Sequence, residues 1–562
     1  MPTLKPRRRI RDEAASLGGL PPEGIREPFK PLELAWSDRF PAGTGGMDTQ
    51  RSPDQLQPDQ ATLLQNYIPR ESGIIPAFGY EAVATDAATQ PRWVGQVSGS
   101  GGALVKSVLV RVGADYIEYY NEATDAWVAL TVNTGTAYDA VNATTTPSPM
   151  AHAASEAVFF TNSGVDGPWH WDITSATYDE ITDVNAPLGV RSAIGFADRV
   201  IAVEGVNAER VRLRWCVSGD VTDWTSTGSG STVLDDSGSV LPYDPIKQLL
   251  TYKNVLVILR AGSIWLARRT GIVANPFQFS LDVPGLGTPF TQASAACGQS
   301  GIIFPAYDNV YLYKPQSNQV LPIGTPIRQE LIEWLQYNGS SGDPAGARTY
   351  GIYDIKNNYY WLFASAGTNA TATAYIFDVG RWEREQKLVW FRYDAPDYAT
   401  AAGVARIVHS GSAGSDDSME PPHVVFGSIF GETFVIKDDR FVGYTPAETH
   451  DGTAIESVFI SPQFTIGHDK VQLRKLGLTY TAEDATTLKV SFSVDGAATW
   501  TTETDYALAA TDGSTELELW VPNTVSVYGS SFMVRFRTTS RTDYRLIGYR
   551  LGIIPRGHVR GP

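Results

Sequence analysis

A short apolar segment, a turn and a second apolar segment recur along most of this 562-residue chain. Val255–Leu259 is a continuous run rich in β-branched residues, Ala261–Ser263 contains a glycine, and Ile264–Leu266 starts a new apolar run. Such runs between turn residues are typical of strands buried on both faces and joined in a hairpin. Gly301–Phe304 and Val310–Tyr313 predict a second hairpin of the same kind.

Five further pairs of segments with this pattern lie between Trp93 and Pro446. They are Tyr116–Tyr120 with Trp127–Val128, Val158–Phe160 with Trp169–Asp172, Val200–Val203 with Val211–Trp215, Tyr359–Phe363 with Tyr375–Asp378, and Val424–Gly427 with Thr433–Ile436. Counted together with the two hairpins above, the first strands of these pairs are roughly 40 to 65 residues apart, which is about the length of a four-stranded propeller blade. The repeat predicts an all-β fold containing an irregular β-propeller of about six or seven blades.

The composition agrees with many short strands joined by turns. The chain contains 52 glycines, 34 prolines and 62 aromatic residues (14 Trp, 26 Tyr and 22 Phe), a usage that does not suit a helical bundle. The formal net charge of −16 does not resemble that of a nucleic-acid-binding protein. This acidity fits either plain solubility or a surface that repels DNA.

The cysteines and the apolar segments indicate where the protein is made. Cys216 and Cys297 are too few for a disulfide framework, and we expect buried free thiols in a reducing cytosol. No stretch approaches 18 uninterrupted apolar residues, so no membrane span is predicted. The N-terminal arginines are not followed by an apolar stretch, which argues against a signal peptide.

Residues 1–45 are predicted to form an extended N-terminal arm, because several prolines block regular structure there. Its basic and aromatic residues make it a candidate partner-docking arm. The residues are Arg7, Arg8, Arg9, Arg11 and Trp36. Such an arm can clamp an acidic partner or DNA phosphates; a solvated terminus is the alternative. Further along, Asp59 is a candidate N-cap for a short helix over Ala61–Asn66.

Several motifs resemble the N-terminal signature of tail proteins from short-tailed bacteriophages. They are S-P-x-x-L at Ser52–Leu56, A-x-x-L-x-N at Ala61–Asn66, and G-x-x-P-x-x-G-Y at Gly73–Tyr80. The proteins concerned are tail nozzle (tail tubular B-like) proteins and tail hub or DNA-stabilisation proteins. The chain departs from their pattern at Pro76–Gly79, where an Arg-Pro-Gly sequence is expected.

Later motifs extend this resemblance to about residues 45–450. Arg214–Trp224 is similar to a Trp-rich loop between blades of phage tail propellers, and Asn275–Phe277 followed by Ala296–Gly298 has the order expected of a nozzle or hub. Pro322–Ile327 then precedes Arg328–Leu335, where Leu331, Trp334 and Leu335 have helical spacing and predict a helix.

The resemblance implies a non-enzymatic structural virion protein without cofactor or metal. It implies assembly as a homo-oligomeric ring, commonly a hexamer, below the portal and adaptor proteins and next to tail fibres or the tail tip. Double-stranded DNA would pass through the lumen of this ring. The protein would be synthesised in the host cytoplasm and located in the virion tail.

The segment 451–562 has a different pattern and is predicted to be a C-terminal β-sandwich, after a propeller domain over residues 46–450. Four stretches largely alternate apolar and polar residues, as strands with one buried face do. They are Ile455–Ile460, Val471–Tyr480, Leu488–Val494 and Phe532–Arg537. The cations on the outer faces of these strands are expected either to be solvated or to contact a partner. They are Lys475, Lys489, Arg535 and Arg537.

Two other functions remain open. Ser493–Trp500 nearly matches the Asp-box S-x-D-x-G-x-T-W, with Ala497 in the usual glycine position. Asp-boxes fold hairpin turns and also occur in sialidases, although the turn itself is not catalytic. A sialidase-like glycosidase would further need a nucleophilic tyrosine with an acid partner and an arginine cluster on the propeller axis. Exposed Trp and Tyr would suit a propeller lectin or adhesin that binds host-surface glycans. The scattered histidines show no metal-ligand spacing, and no enzyme is predicted.

Overall fold

The computed structural model describes most of the chain. The described residues are 34–77, 79–83, 91–101, 104–121, 124, 126–139, 150–153, 156–161, 167–205, 211–234, 243–337, 349–364, 373–394, 399–405, 423–428, 433–436, 449–450, 453–465, 471–522, 527–539 and 544–555. Within these ranges the protein has 45 strands, two α-helices and one 3-10 turn. The all-β prediction is confirmed.

Six short strands lie in the N-terminal segment. They are β1 (Ala35–Trp36), β2 (Phe40–Pro41), β3 (Leu63–Gln65), β4 (Tyr67–Arg70), β5 (Gly73–Pro76) and β6 (Tyr80–Ala82). The prediction of a helix over Ala61–Asn66 is therefore wrong. Leu63–Gln65 instead forms β3 and pairs with Val458–Ile460, so pairing with a distant strand overrides the local helical pattern.

Seven sheets follow one another along the chain, each with a meander of four antiparallel strands. The strands of the first three are β7 (Trp93–Gly101), β8 (Leu104–Val112), β9 (Ile117–Asn121) and β10 (Ala126–Ala129) in sheet 1; β11 (Thr131–Thr134), β12 (Met150–Ala153), β13 (Glu156–Phe159), β14 (Trp169–Asp172) and β15 (Thr177–Glu180) in sheet 2; and β16 (Ala193–Phe196), β17 (Arg199–Val203), β18 (Arg212–Trp215) and β19 (Gly230–Val233) in sheet 3. In sheet 2, β11 is an additional strand parallel to β15.

Sheets 4 to 6 repeat this arrangement. Their strands are β20 (Ile246–Tyr252), β21 (Val255–Arg260), β22 (Ser263–Ile272) and β23 (Asn275–Pro284) in sheet 4; β24 (Ala295–Cys297), β25 (Gly301–Pro305), β26 (Val310–Lys314) and β27 (Gln319–Pro322) in sheet 5; and β28 (Thr349–Asp354), β29 (Tyr359–Ala364), β30 (Thr373–Asp378) and β31 (Trp390–Asp394) in sheet 6. The hairpins predicted from the two apolar pairs are confirmed as β21–β22 and β25–β26.

Sheet 7 combines strands from distant parts of the chain. It contains β32 (Ala399–Ala405), β33 (His423–Ser428) and β34 (Thr433–Ile436), and its fourth strand is β6 from the N-terminal segment. Tyr80 of β6 pairs with Ile436 of β34. The short strands β35 (Thr449–His450) and β36 (Thr453–Ala454) extend the same sheet.

The first meander strand of each sheet contacts the first meander strand of its neighbours. Each strand in the series β12, β16, β20, β24, β28 and β32 contacts the next one, and β7 contacts both β12 and β32. Gly351 in β28 sits so close to the preceding sheet that a Cβ atom would lie 1.8 Å from the Ala293 carbonyl oxygen. A Cβ atom on Gly195 in β16 would likewise lie 1.8 Å from the His152 carbonyl oxygen. These strands approach closely because glycine has no side chain.

Aromatic side chains fill the space between neighbouring sheets. Trp215 of sheet 3 packs edge-on against Phe277 of sheet 4, with ring centroids 5.3 Å apart. Tyr119 of sheet 1 stacks on Trp171 of sheet 2 at 6.0 Å. Aromatic pairs of this geometry add to the free energy gained by burial, so the high aromatic content serves sheet-to-sheet packing.

A buried ion pair holds the turn between β21 and β22. Asp244 and Arg260 are both fully buried, with Arg260 Nε 3.4 Å from Asp244 Oδ2. Asp244 also accepts hydrogen bonds from the Gly262 N–H at 2.7 Å and the Ser263 hydroxyl at 2.5 Å. Because these polar groups satisfy each other, removing one partner would leave a buried charge uncompensated.

The C-terminal strands form two larger sheets that face each other. They are β37 (Ser457–Ile460), β38 (Phe464–Thr465), β39 (Val471–Ala482), β40 (Thr486–Ser493), β41 (Thr504–Leu508), β42 (Thr515–Trp520), β43 (Tyr528–Gly529), β44 (Ser531–Thr538) and β45 (Tyr544–Pro555). One sheet has the order β4-β5-β45-β39-β42, and the other continues sheet 6 through β3-β37-β44-β40-β41. Phe536 and Tyr549 connect their buried faces, with ring centroids 5.4 Å apart.

Residues of the N-terminal segment complete these C-terminal sheets. Strands β1, β2 and β5 all pair with β45, and β3 pairs with β37. Part of the predicted arm is therefore an ordered component of the C-terminal sheet. The predicted boundaries at residues 45 and 450 stay predictions.

The two helices lie beside this N-terminal segment. Helix α1 (Arg328–Tyr337) follows a 3-10 turn at Thr325–Ile327 and confirms the predicted helix. Helix α2 (Val379–Glu385) was not predicted; the Asp378 side chain caps it by accepting the Arg381 N–H. The Arg381 side chain donates to the Thr44 carbonyl and so ties α2 to the N-terminal segment.

We predict that Gly351→Ala lowers the free energy of unfolding by about 1–3 kcal/mol, because the new methyl group meets backbone rather than a movable side chain. Chemical denaturation of the full chain measures the change. Gly513→Ala is the matched control, since nothing lies within 4 Å of a Cβ atom there. Equal stability of the two variants would contradict the close strand contact.

Candidate functional site

The residues of the predicted docking arm are only partly described. Arg7, Arg8, Arg9 and Arg11 lie outside the described residues. Trp36 lies in β1, where it pairs with Gly552 of β45. The structure therefore places the aromatic end of the predicted arm on the outer face of the eight-stranded C-terminal sheet.

Trp36 is held between two cations on this face. The Arg550 guanidinium lies 4.4 Å from the centroid of the Trp36 ring, and the Lys475 ammonium lies 5.9 Å from it. A cation over a tryptophan face is attracted by the electrons of the ring. Trp36 consequently anchors β1 to the sheet.

Two glycines make room for these long side chains. Gly552 lies between Trp36 and Lys475 in one row across the sheet, and a Cβ atom there would be 2.8 Å from Cβ of Lys475. Gly477 faces Arg550 in the next row, where a Cβ atom would be 2.6 Å from Cγ of Arg550. The arrangement depends on small residues at both positions.

Trp520 lies on β42, the last strand of this sheet, in the same row as Trp36, Gly552 and Lys475. It pairs with Lys475, whose ammonium lies 4.4 Å from its ring centroid. Trp520 is nevertheless 67% exposed. Tryptophan is enriched among the residues that contribute most to protein–protein binding, so this ring is the strongest exposed anchor of the described surface.

Two glutamates complete this face. Lys475 Nζ lies 3.1 Å from Glu518, and the Arg550 guanidinium lies 3.2 Å from Glu518 and 3.4 Å from Glu516. We name this set the Trp36–Trp520 face. Sequence inspection missed Trp520, Glu516 and Glu518, although the alternation T-E-L-E-L-W over Thr515–Trp520 places all three on one side of a strand.

Of the other cations expected to point outward, Arg535 and Arg537 are paired with acids on the ten-stranded sheet. Glu503 accepts from Arg535 at 3.1 Å and from Arg537 at 2.9 Å, and Arg535 lies over the Trp500 ring at 4.7 Å. Lys489 is opposite Asp505 in the ladder of β40 and β41. These pairs neutralise charge locally, so this face is mixed rather than basic.

The Asp-box forms the turn between β40 and β41, as expected. Asp495 accepts from the N–H and the hydroxyl of Thr499 at 2.9 and 2.5 Å. The Thr499 side chain is the largest influence on the pKa of Asp495, which is lowered to about 2. Ala497 has a φ of +72°, a left-handed conformation that is unfavourable for alanine. This explains why glycine is usual at that position.

A small cavity lies where the first strands of the sheets meet. Its volume is about 180 Å³, and its polar lining includes Arg191, Gln248 and Gln292, with Trp93 at one side.

A second, larger cleft of about 590 Å³ lies beside the Ser52–Leu56 segment and is lined by Asp48, Arg51, Asp59 and Lys387. The signature loop also connects distant elements. The Thr49 N–H donates to Pro326 before α1 at 2.8 Å, and the Pro53 carbonyl accepts from Gln463 at 2.9 Å. The structure thus gives this segment a linking role between sheet 5 and the C-terminal strands.

Both cysteines are buried free thiols, as predicted. Burial raises the pKa of the Cys216 thiol to about 11, and burial raises that of Cys297 even more. Among the described residues, no group of three or more His, Cys, Asp or Glu side chains is arranged to hold a metal ion. No described helix is long and apolar enough to span a membrane.

Comparison with known proteins adds no family. No protein-family model matches the chain, and no curated protein matches it. Among solved structures, extracellular domains of a hybrid two-component and a one-component system from B. thetaiotaomicron match at TM-scores of 0.38 and 0.36, each with 10% identity over 67% of this chain and 42% of theirs. The chain thus spans less than half of their length.

An exo-β-1,3-galactanase from Phanerochaete chrysosporium, solved with β-1,3-galactotriose, matches at a TM-score of 0.24. Its identity is 11% over 84% of this chain and 99% of the galactanase. At these TM-scores none of the three structures assigns a fold or a function to the chain.

We predict that Ala497→Gly raises the free energy of unfolding by about 0.5–1 kcal/mol, because glycine adopts a positive φ without strain. Ala498→Gly is the matched control, since Ala498 is exposed and does not have a positive φ; it should leave stability unchanged or lower it slightly. Denaturant titrations of both variants provide the measurement. A destabilised Ala497→Gly variant would contradict the described turn.

Proposed function

We propose that this chain is a structural, non-enzymatic subunit of a bacteriophage tail, a nozzle or hub ring through which the genome passes. Its seven sheets form a seven-bladed β-propeller, followed by a C-terminal β-sandwich. The signature at Ser52–Leu56 and Gly73–Tyr80 supports the tail assignment through resemblance. The contacts between first strands are the observation that carries the architecture.

These contacts have the order expected of blades around an axis. Strand β7 contacts both β12 and β32, which supports the proposed ring of sheets. Strand β6, from before sheet 1, supplies the fourth strand of sheet 7. A last blade shared by both ends of the propeller segment ties the ring closed by hydrogen bonds, and it leaves only short blade edges exposed.

The proposed path of DNA lies between subunits. In the proposed assembly DNA passes through the lumen of a homo-oligomeric ring, commonly a hexamer. Portal and adaptor proteins lie above this ring, and tail fibres or the tail tip lie on its other side.

The mechanism follows from charge. The formal net charge of −16 repels DNA phosphates, so an acidic lumen lets the duplex slide without binding. The subunit is synthesised in the host cytoplasm and becomes part of the virion tail. The exposed Trp520 favours one alternative, a propeller lectin or adhesin that binds host-surface glycans through stacking on aromatic rings.

Assembly tests the proposal. We expect electron microscopy of the purified full chain, or of the chain mixed with a portal–adaptor complex, to show rings with a central lumen, and analytical ultracentrifugation to give their mass. A strict monomer that does not bind portal complexes would rule out the nozzle or hub function.

Glycan binding separates the alternative from the proposal. We expect no saturable binding of the parent protein on a glycan array. Clear binding that disappears in Trp520→Ala, but persists in a variant of an exposed residue elsewhere such as Ile355→Ala, would favour the lectin.

A further inference from the structure

The two C-terminal sheets end side by side in open strands. Within the described residues, β42 is the last strand of one sheet and β41 is the last strand of the other. The Tyr506 hydroxyl of β41 donates to the Trp520 carbonyl of β42 at 3.1 Å. We name residues 483–518 with Trp520, which comprise these two strands, the neighbouring strand β40 and the turns between them, the acidic edge.

The backbone of β42 is oriented for a further strand. The Trp520 carbonyl points away from β39, whereas the following Val521 N–H donates to Arg474 at 2.9 Å. Backbone groups alternate in direction along an antiparallel ladder. The N–H and C=O groups of Glu516 and Glu518 therefore also point to the open side, where an extended segment can add to the sheet.

This edge is acidic. Residues 483–518 contain eight Asp or Glu residues and one lysine, and the charge remains negative, at −3, when Lys475, Arg535, Arg537 and Arg550, which contact Glu503, Glu516 or Glu518, are counted with them. Glu516 is 57% exposed and Glu518 is 44% exposed, even though both contact Arg550. An occupant of this edge is therefore expected to be an extended and basic segment.

The chain itself contains such a segment. Residues 5–11, which we name the basic stretch, carry five cations, Lys5, Arg7, Arg8, Arg9 and Arg11, and no acid. The described chain starts at Leu34, directly before β1, and β1 belongs to the sheet that ends in β42. Three strand spacings of about 4.8 Å separate β1 from β42, or about 14 Å.

We propose that the basic stretch of this chain's own N-terminal arm docks on its acidic edge. The 22 residues between Arg11 and Leu34 span up to about 70 Å when extended, which is ample for this path. Tethering gives the stretch a high effective concentration at its own edge. Alternate arginines of an added strand face Glu516 and Glu518, and a guanidinium stacks on the exposed Trp520 ring. Docking also covers a strand edge that would otherwise pair with other chains.

Hydrogen–deuterium exchange of the full chain tests this proposal at low salt. Replacing the four arginines of the basic stretch by alanine is expected to speed exchange of the Glu516, Glu518 and Trp520 amides by about tenfold, because these amides lose their hydrogen-bond partners. Replacing the same arginines by lysine should preserve most of the protection. High salt should mimic the alanine variant, since it screens exposed charges.

Arg26→Ala with Lys30→Ala is the matched control, because it removes two cations of the arm outside the basic stretch. It should leave the exchange of β42 unchanged. Exchange of β42 that is identical in the parent and the four-alanine variant would overturn the proposal.

Cross-linking identifies which copy supplies the arm. With Arg9→Cys and Glu516→Cys in one chain, a bismaleimide should give a cross-linked monomer; the native thiols are buried and do not compete. Arg9→Cys with Ile355→Cys, an exposed site (59%) on sheet 6, should cross-link much less. Cross-linked dimers instead of monomers, or equal yields at both sites, would overturn docking within one chain.

Discussion

Hydrogen bonding between the two ends of the chain is the constraint on which the rest of this structure depends. β45 near the C-terminus pairs with β1, β2 and β5, and β6 supplies the last strand of sheet 7. Neither the C-terminal sheets nor sheet 7 is complete until these distant segments meet. Such non-local pairing carries a large loop-closure entropy and is formed slowly, so the intervening sheets must form while the ends are still unpaired.

Close backbone contact on one side and aromatic packing between sheets explain much of the unusual composition. Glycines such as Gly195 and Gly351 let the first strands approach each other. Rings such as Trp215 and Phe277 fill the wider space further out. The sheets therefore need small residues in their first strands and aromatic residues in their later strands, which is why a chain rich in both suits this architecture.

The Trp36–Trp520 face links the proposed function with the electrostatics of the chain. Its cations contact tryptophan rings and the glutamates Glu516 and Glu518, and these two glutamates also belong to the acidic edge. A structural ring subunit needs surfaces that recognise its own segments and its neighbours but do not hold DNA. Aromatic anchors combined with net negative charge meet both requirements.

Local patterns in the sequence predicted the hairpins, the helix at Arg328 and the Asp-box turn, because apolar runs, turn residues and helical spacing act over a few residues. The sequence by itself also determined the all-β class and the buried state of Cys216 and Cys297. The region over Ala61–Asn66 was misread as a helix, because its strand forms only when Val458–Ile460 is present beside it. Helix α2 was missed, since it is short and depends on the Asp378 cap.

Only the tertiary structure decided the surfaces. Trp36 was identified from sequence as a docking residue, but its partners Arg550 and Lys475 lie more than 400 residues away. Trp520 became recognisable as exposed only once β42 was seen to be the last strand of its sheet. Periodicity determines which face of a strand is apolar, whereas strand order across the sheet determines which strand remains open, and that order is set by contacts between residues far apart in the chain.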